Sequence, residues 1–291
     1  MNITPFQSLA CPLDGEPLSR LGCAWSCPDG HSFDIAKQGY VNLLPVQQKR
    51  SHDPGDSKAM VAARQRFLET GHYQPIADAV SRAVLSHADV QALNSPDSLP
   101  FSCLDAGCGE GYYLRQLAHA AVSSQSLALM GLDISKWAVL AAAKQDAKQS
   151  PLSSWAVGSN AHLPIQAGTL DAVLCMFGFP MVGEFARVLE PGGMLLQVEA
   201  GPDHLRELRE IIYPTLKPER SSEPQVPEDF TYHSSERVTY SLALNGAEKI
   251  ADLLAMTPHL YRASAEGRAS AAALEELVTT VDVRIVQWLR S

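Results

Sequence analysis

Ser102-Cys-Leu-Asp-Ala-Gly-Cys-Gly-Glu-Gly-Tyr112, with Phe101 in front and Leu114, Leu117 and Ala118 behind, decides how the chain folds. A short apolar run gives way to Gly107, Gly109 and Gly111, and apolar residues at helical spacing follow, which predicts strand, tight turn and helix. Glycines there let the backbone turn sharply and pass close to a ligand, and the helix start offers unpaired N–H groups. The spacing Gly-x-Gly-x-Gly, with Asp105 closing the strand, departs from the dinucleotide fingerprint. No Lys-Ser/Thr follows, so a phosphate-cradling loop is excluded. A glycine turn that joins strand to helix without any ligand is the bland alternative.

What remains resembles the first motif of class I S-adenosylmethionine (SAM) methyltransferases, whose glycine turn faces an amino acid and a sulfonium instead of a pyrophosphate. The resemblance implies that Asp105 holds the cationic end of the ligand, with Gly107, Gly109, Glu110, Gly111 and Tyr112 around it. Two further stretches lie where such a fold needs them. Leu127-Ala-Leu-Met-Gly-Leu-Asp-Ile134 is an apolar run closed by Asp133, a little over ~20 residues beyond the glycines, where a carboxylate accepts both ribose hydroxyls. Ser135 is placed to cap the next helix. Asp171-Ala-Val-Leu-Cys-Met-Phe177 and Glu190-Pro-Gly-Gly-Met-Leu-Leu-Gln-Val198 continue the alternation of strand and helix. The expected architecture is α/β, a Rossmann-like class I SAM-dependent methyltransferase with a seven-stranded mixed sheet. Its antiparallel edge is expected from the alternating stretches at residues 230–244 and 281–288.

A chain of 291 residues can bury a full α/β core and carry something small besides. Apolar residues reach 46% and charged ones 19%, and no apolar run approaches the ~20 residues that span a bilayer, so no membrane partner is expected. Met1-Asn-Ile-Thr-Pro-Phe6 lacks a basic start and a long apolar stretch, so no secretion signal is expected, and six cysteines suit a reducing cytoplasm. The net charge of -9 argues against a nucleic-acid partner on average, but the charge is unevenly spread. Between residues 37 and 66, Lys37, Lys49, Arg50, Lys58, Arg64 and Arg66 face only Asp53 and Asp56. Cationic surface is thus concentrated just ahead of the expected catalytic domain.

Cys11-Pro-Leu-Asp14 and, further on, Cys27-Pro-Asp-Gly-His31 read as two knuckles of a structural zinc site, the device of a small domain that lacks its own core. A set of three cysteines and one histidine would need a cysteine where Asp14 stands. Three outcomes stay open: Asp14 supplies an oxygen, Cys23 swings in as the third sulfur, or no metal is held.

Gln48-Lys-Arg-Ser-His-Asp-Pro-Gly-Asp56 reads as a polar turn, and residues 57–68 as a helix with Lys58 and Arg64 on its exposed side. Lys49, Arg50 and Arg64 are either solvated surface or phosphate contacts beside the pocket, and the charge asymmetry favours phosphate. Residues 1–36 then form the zinc-binding domain, 37–72 a basic linker and helix, and 73–291 the catalytic domain. Cys11-Pro-Leu13, Cys27-Pro28 with His31, Phe33-Asp34, Gly39-Tyr-Val-Asn-Leu-Leu-Pro45, Asp53-Pro-Gly-Asp56, Gly71-His-Tyr73 and Asp105-Ala-Gly-Cys-Gly-Glu-Gly-Tyr-Tyr113 together resemble the RlmA family. Those enzymes are SAM-dependent 23S ribosomal RNA guanine-N1 methyltransferases with an N-terminal zinc-binding domain. The resemblance extends through Pro191-Gly-Gly193, Gly201-Pro-Asp-His-Leu205 and Met256-Thr-Pro258, and the linker is more similar to the Gram-negative subgroup. It implies SAM and zinc as cofactors, 23S rRNA as partner, a homodimer in the cytoplasm, and Tyr73 and His204 as SAM contacts.

Asn160, in Gly158-Ser-Asn-Ala-His-Leu-Pro164, is expected either to read the adenine edge or merely to turn the chain. Phe177-Gly-Phe-Pro180 closes the strand where class I enzymes meet the target base. The Asn/Asp-Pro-Pro-aromatic run of amino-methylating members is missing, which disfavours an exocyclic amine, and Phe177 and Phe179 are the candidates to stack on a flipped guanine. Four prolines mark an irregular insert at residues 214–230, read as a substrate-side lid. The sequence singles out no acceptor for the guanine N1 proton. Two rival readings exist. A small-molecule methyltransferase would leave the basic linker and the knuckles without purpose, and an RNA-binding module that has lost catalysis would not need Asp105, Gly107, Gly109, Gly111 and Asp133 intact.

Overall fold

The computed structural model describes residues 2–49, 51–94, 99–147, 153–216 and 225–291. Arg50, and residues 217–224 of the insert read as a lid, lie outside the described residues. Five short strands come first: β1 (Asn2–Thr4), β2 (Ser19–Leu21), β3 (Ala24–Ser26), β4 (Ser32–Asp34) and β5 (Tyr40–Asn42). Helices α1 (Lys58–Glu69) and α2 (Gln74–Asn94) lead into β6 (Phe101–Ala106), α3 (Tyr112–Ala120), β7 (Ser126–Asp133), α4 (Lys136–Asp146), β8 (Ser154–Val157), β9 (Leu170–Met176), α5 (Val182–Val188) and β10 (Leu189–Ala200). Then follow α6 (Arg206–Ile212), β11 (Phe230–Asn245), α7 (Ala247–Ala255), α8 (His259–Arg262), α9 (Ala265–Ala272) and β12 (Glu276–Arg290).

Local chemistry sets these boundaries. All six residues of β6 are buried, as a parallel strand covered on both faces requires. The side chains of Ser57 and Ser135 accept the backbone N–H of Met60 and Ala138 at the starts of α1 and α4. The Pro191-Gly-Gly193 stretch lies within β10 instead of ahead of it. The register against β9 shifts between Leu189 and Met194, with Gly192 at φ 82°.

The large sheet runs β11-β12-β10-β9-β6-β7-β8-β5, with β1 paired to β7. β6 to β9 pair in parallel with their neighbours, while β12 is antiparallel to both β10 and β11 and makes the expected edge. The expectation of seven strands needs correction: nine strands join this sheet among the described residues. β6 to β12 supply the seven of the methyltransferase core, and β1 and β5 extend it. β1 sets Asn2 opposite Ser126 at the start of β7, and β5 sets Tyr40 opposite Trp155 of β8. Strands of three residues carry too little alternation to be read from sequence.

The sheet separates two apolar cores. Along β7, Leu127 and Leu129 enter one and Ala128 and Met130 the other, as alternate residues must. The first core takes α2 and α3, with α6 and α7 at its far side. The second is closed by Phe185 and Val188 of α5 and by Phe6, Leu9, Leu18 and Trp25 from the N-terminal segment. The three-stranded sheet β2-β3-β4 therefore has no core to itself; its inner side chains use that of the catalytic sheet. No helix among the described residues is long and apolar enough to cross a membrane.

Candidate cofactor pocket and metal cluster

Three glycines at positive φ (Gly107 92°, Gly109 56°, Gly111 81°) carry the chain from β6 into α3. A side chain on Gly111 would collide with the Trp155 ring, so the turn packs directly against a side chain of β8. Asp105, at the end of β6, is completely buried, and neither carboxylate oxygen has a partner. Burial first, then the charges of Asp133 and Glu110, push its pKa up to about 8. A buried carboxyl without a partner is costly in itself, and a cationic group placed beside it would offset that cost.

The other pocket residues take defined places. Asp133 accepts N–H groups from Gly109 at 2.9 Å and Ser135 at 2.8 Å, which aims its carboxylate across the glycine turn. The amide nitrogen of Asn160 stands 3.6 Å from where a Gly107 side chain would begin, and its buried oxygen lacks a partner. Glu110 is buried: one oxygen accepts from Arg115 at 2.6 Å and Gln145 at 2.8 Å, and the other is unpartnered. Tyr112 is not brought to the turn by its hydroxyl, which donates to Gln74 at 3.2 Å. The orphaned carboxyl of Asp105, the orphaned amide oxygen of Asn160 and the glycine cradle together fit SAM, a ligand with a cationic amino-acid end and a nucleoside end.

Tyr73, Phe177 and His204 form a cluster, with Phe177 directly after β9, the strand paired with β6. Phe177 stacks on His204 with ring centroids 5.8 Å apart and planes at 28°, and Tyr73 meets both. The Asp282 N–H donates to Nδ1 of His204 at 3.3 Å, so the neutral ring carries its proton on Nε2, 3.5 Å from the Tyr73 hydroxyl. Burial lowers the His204 pKa to about 4 and keeps the ring neutral. Phe177 holds φ 55°, a left-handed conformation uncommon outside glycine, at the end of β9. Phe179, two residues on, is 89% exposed.

The linker was expected to present Arg64 to solvent. Instead Arg64 lies on the inner face of α1, three residues from buried Val61 and Phe67 and four from buried Leu68, as helical spacing dictates. Its guanidinium pairs with Asp56 at 2.5 Å and reaches the glycine turn, with Nη1 3.3 Å from where a Gly109 side chain would begin. Lys58 is exposed as expected, and Lys49 is half-buried at the end of a short 3-10 turn. Sequence reading missed Asp56 as the partner of Arg64. The signal was the Asp53-Pro-Gly-Asp56 turn, whose glycine permits φ 82°.

At the N-terminal end, the ligand atoms of Cys11, Asp14, Cys27 and His31 all lie within 4.8 Å of one another. Nδ1 of His31 is 2.7 Å from Asp14 Oδ2, 3.4 Å from Cys27 Sγ and 3.6 Å from Cys11 Sγ. The Glu16 N–H donates to Asp14 at 2.9 Å and, with the cluster's other groups, holds its pKa at about 2. Two sulfurs, one nitrogen and one oxygen converging in this way fit a tetrahedral zinc ion. Asp14 stands in this cluster, whereas Cys23 is exposed and outside it.

A cavity of 1480 Å³ lined by His87, Phe101, Ser102, Ser126, Thr169 and Asp171 opens at the opposite end of the sheet, where the parallel strands begin. Ligands of open α/β sheets bind at the carboxyl ends of strands, so volume does not decide the site here.

Comparison with known proteins bears on both regions. Residues 9–52 match the family described as RlmA, N-terminal, a zinc ribbon, and residues 103–193 match a methyltransferase domain. A Micromonospora griseorubida protein with the provisional name 23S rRNA (guanine-N1)-methyltransferase is 34% identical over 295 residues, covering 96% of each chain. A Bacillus subtilis protein under the same provisional name is 31% identical, over 97% of this chain and 96% of its own. The 23S rRNA (guanine(748)-N1)-methyltransferase of Streptomyces fradiae is 35% identical over 69% of this chain and 66% of its own.

Proposed function

The chain belongs to the RlmA family of 23S rRNA (guanine-N1)-methyltransferases, and on that premise we propose that it transfers the methyl group of SAM to N1 of a guanine in a hairpin of 23S ribosomal RNA. The observation that carries the reading is the unpartnered Asp105 beneath the glycine turn, in a chain that also holds the ribbon cluster. A small-molecule acceptor would leave the ribbon and the basic linker without a purpose, and an RNA-binding module without catalysis would have no use for a buried orphan carboxylate.

When bound, SAM supplies an electrophilic methyl group on a sulfonium that departs as a neutral thioether without acid. The guanine N1 proton is released as the N1–C bond forms, and the residues provide positioning and water exclusion. Asp105 receives the cationic amino-acid end, Asp133 the ribose hydroxyls, and Asn160 the adenine edge. Tyr73 and His204 wall the pocket, and the neutral His204 adds no positive charge against the sulfonium. Phe177 and the exposed Phe179 are proposed to stack on the guanine, since an aromatic at a strand end with 89% exposure gains little from solvent. Lys49 and Arg50 are proposed to meet RNA phosphates. The ribbon of residues 1–36 and the linker of 37–72 act on this reading as the RNA-gripping part, and residues 73–291 as the catalytic part. A homodimer in the cytoplasm, where ribosomal RNA is modified, completes the reading.

The test is transfer of labelled methyl from SAM to ribosomal RNA stripped of protein, followed by nuclease digestion and nucleoside analysis. Label in 1-methylguanosine is expected. Unlabelled RNA from a protein that still binds SAM would overturn the RNA reading in favour of a small-molecule acceptor.

A further inference from the structure

The glycine turn is surrounded by acid. Asp105 lies at the end of β6, Glu110 belongs to the turn itself, and Asp133 accepts the Gly109 N–H at 2.9 Å. SAM brings two positive charges, ammonium and sulfonium, and one negative, the α-carboxylate. A pocket of carboxylates attracts the first two and repels the third, so the amino-acid end needs a cation of its own. Arg115 does not serve, because its side chain is only 7% exposed and has no open face beyond its pair with Glu110.

Arg64 is disposed differently. It comes from α1, outside the methyltransferase sheet, and reaches Gly109, where a Cβ would sit 3.3 Å from Nη1 and make it give by a few tenths of an ångström. Its side chain is only 23% exposed. Asp56 grips one side of it, and the carbonyl oxygen of Met256 lies 3.5 Å from Nη2. Asp56 is fixed in turn: its carbonyl accepts from the Ser135 hydroxyl at 2.7 Å, directly after the strand that ends in Asp133. Gly55 packs so tightly here that a Cβ would sit 2.9 Å from Ile134 Cγ2. The Asp53-Pro-Gly-Asp56 turn is thereby bolted to the loop after Asp133, and it delivers a cation to the glycine turn. The guanidinium lies against the glycine turn, 3.3 Å from where a Gly109 side chain would begin.

We propose that Arg64, positioned by Asp56, is the residue that receives the α-carboxylate of SAM, so that the linker behind the ribbon completes the cofactor pocket. The inference rests on the pocket binding SAM and is independent of the RNA acceptor.

Calorimetry on the full chain, with SAM and with decarboxylated SAM, reads it directly, because the second ligand keeps both positive charges and lacks the anion. Wild-type protein should favour SAM by on the order of 10- to 100-fold, the worth of a charge-assisted hydrogen bond. Arg64→Gln should lose that factor for SAM and nothing for the decarboxylated ligand, and Arg64→Lys should recover part of it. Equal wild-type affinity for the two ligands overturns the proposal, as does an equal loss for both in Arg64→Gln. The wild-type arm needs no variant, so a misfolded variant cannot shield the idea. Failure of the wild type to bind SAM at all would instead overturn the reading of the pocket, and the two failures are told apart.

Discussion

The metal cluster and the cofactor pocket solve the same problem in opposite ways. In the ribbon, Cys11, Asp14, Cys27 and His31 face one another at 2.7 to 3.6 Å, so each polar group has a partner even before an ion is considered. In the pocket, Asp105 is buried with both oxygens unpartnered, inside a packed sheet that cannot relax around it. The ribbon has little core and depends on its ligand for shape, whereas the pocket has its shape already and bears a cost until its ligand arrives. Removing the ligand should therefore disorganise the first and leave the second folded.

The largest effect expected is on the ribbon. Cys27→Ser, or chelation of the wild type, should take bound zinc from one per chain to near none, and a structural zinc in a small finger is worth ~10–16 kcal/mol of folding. Trp25, buried against the second core, should become exposed, which a fluorescence red shift would report. SAM affinity by calorimetry should hold, because the glycine turn is built on β6 and β7. If SAM binding collapses with the zinc, ribbon and pocket are one cooperative unit and the contrast fails.

Asp105 gives the next largest effect, with a sign opposite to that of most carboxylates. Its pKa is pushed up to about 8 in the folded chain, against about 3.9 unfolded. Between those values the folded protein binds the extra proton, so ligand-free stability should fall as pH rises from about 4 to about 8. Asp105→Asn should flatten that slope and raise ligand-free stability at pH 8 by about 2–4 kcal/mol. The same variant should weaken SAM on the order of 100-fold, since a charge-assisted bond is lost. Thermal melts across the pH range with and without SAM test both halves, and a ligand-free melting temperature indifferent to pH would remove the idea of a stored cost.

A smaller effect separates backbone conformation from packing in the turn. A Cβ on Gly107 meets only the Asn160 amide, at 3.6 Å, so Gly107→Ala should lose about 1–2 kcal/mol from the left-handed φ alone. Gly111→Ala, which drives a methyl into Trp155 and to 2.9 Å from Arg115, should lose more, and denaturant melts of the two should rank accordingly. Equal losses would mean that the sheet does give way beneath the pocket.

Much of this was legible in the sequence, and for identifiable reasons. The glycine spacing, Asp105, Asp133 and the Ser135 cap are local signals: a turn that needs positive φ, a carboxylate at a strand end, a hydroxyl before a helix. Cys11, Cys27 and His31 are similarly local. What escaped was tertiary. β1 and β5 join the sheet through pairing with β7 and β8, and nothing within three residues can announce a distant partner. The direction of Arg64 was misjudged because a charged residue invites an outward placement, although its spacing from Val61, Phe67 and Leu68 already turned it inward. The choice between Asp14 and Cys23 depended on the fold of the hairpin between the knuckles, which spacing alone does not fix.

That last choice gives the smallest expected effect and the sharpest control. Cys23 is exposed, and its backbone, not its sulfur, has a structural duty: its carbonyl accepts the Ile35 N–H at 2.8 Å. Cys23→Ser keeps that carbonyl, so zinc content should stay at one per chain and stability within about 0.5 kcal/mol of wild type. Asp14→Ala should instead weaken zinc by more than ~100-fold, beyond the ~10–100-fold that loss of an outer-shell partner costs. A competition titration against a zinc chelator measures both variants side by side. Should Cys23→Ser weaken zinc while Asp14→Ala does not, the hairpin must rearrange on binding metal, and the ribbon would lack the preformed cluster that sets it against the pocket.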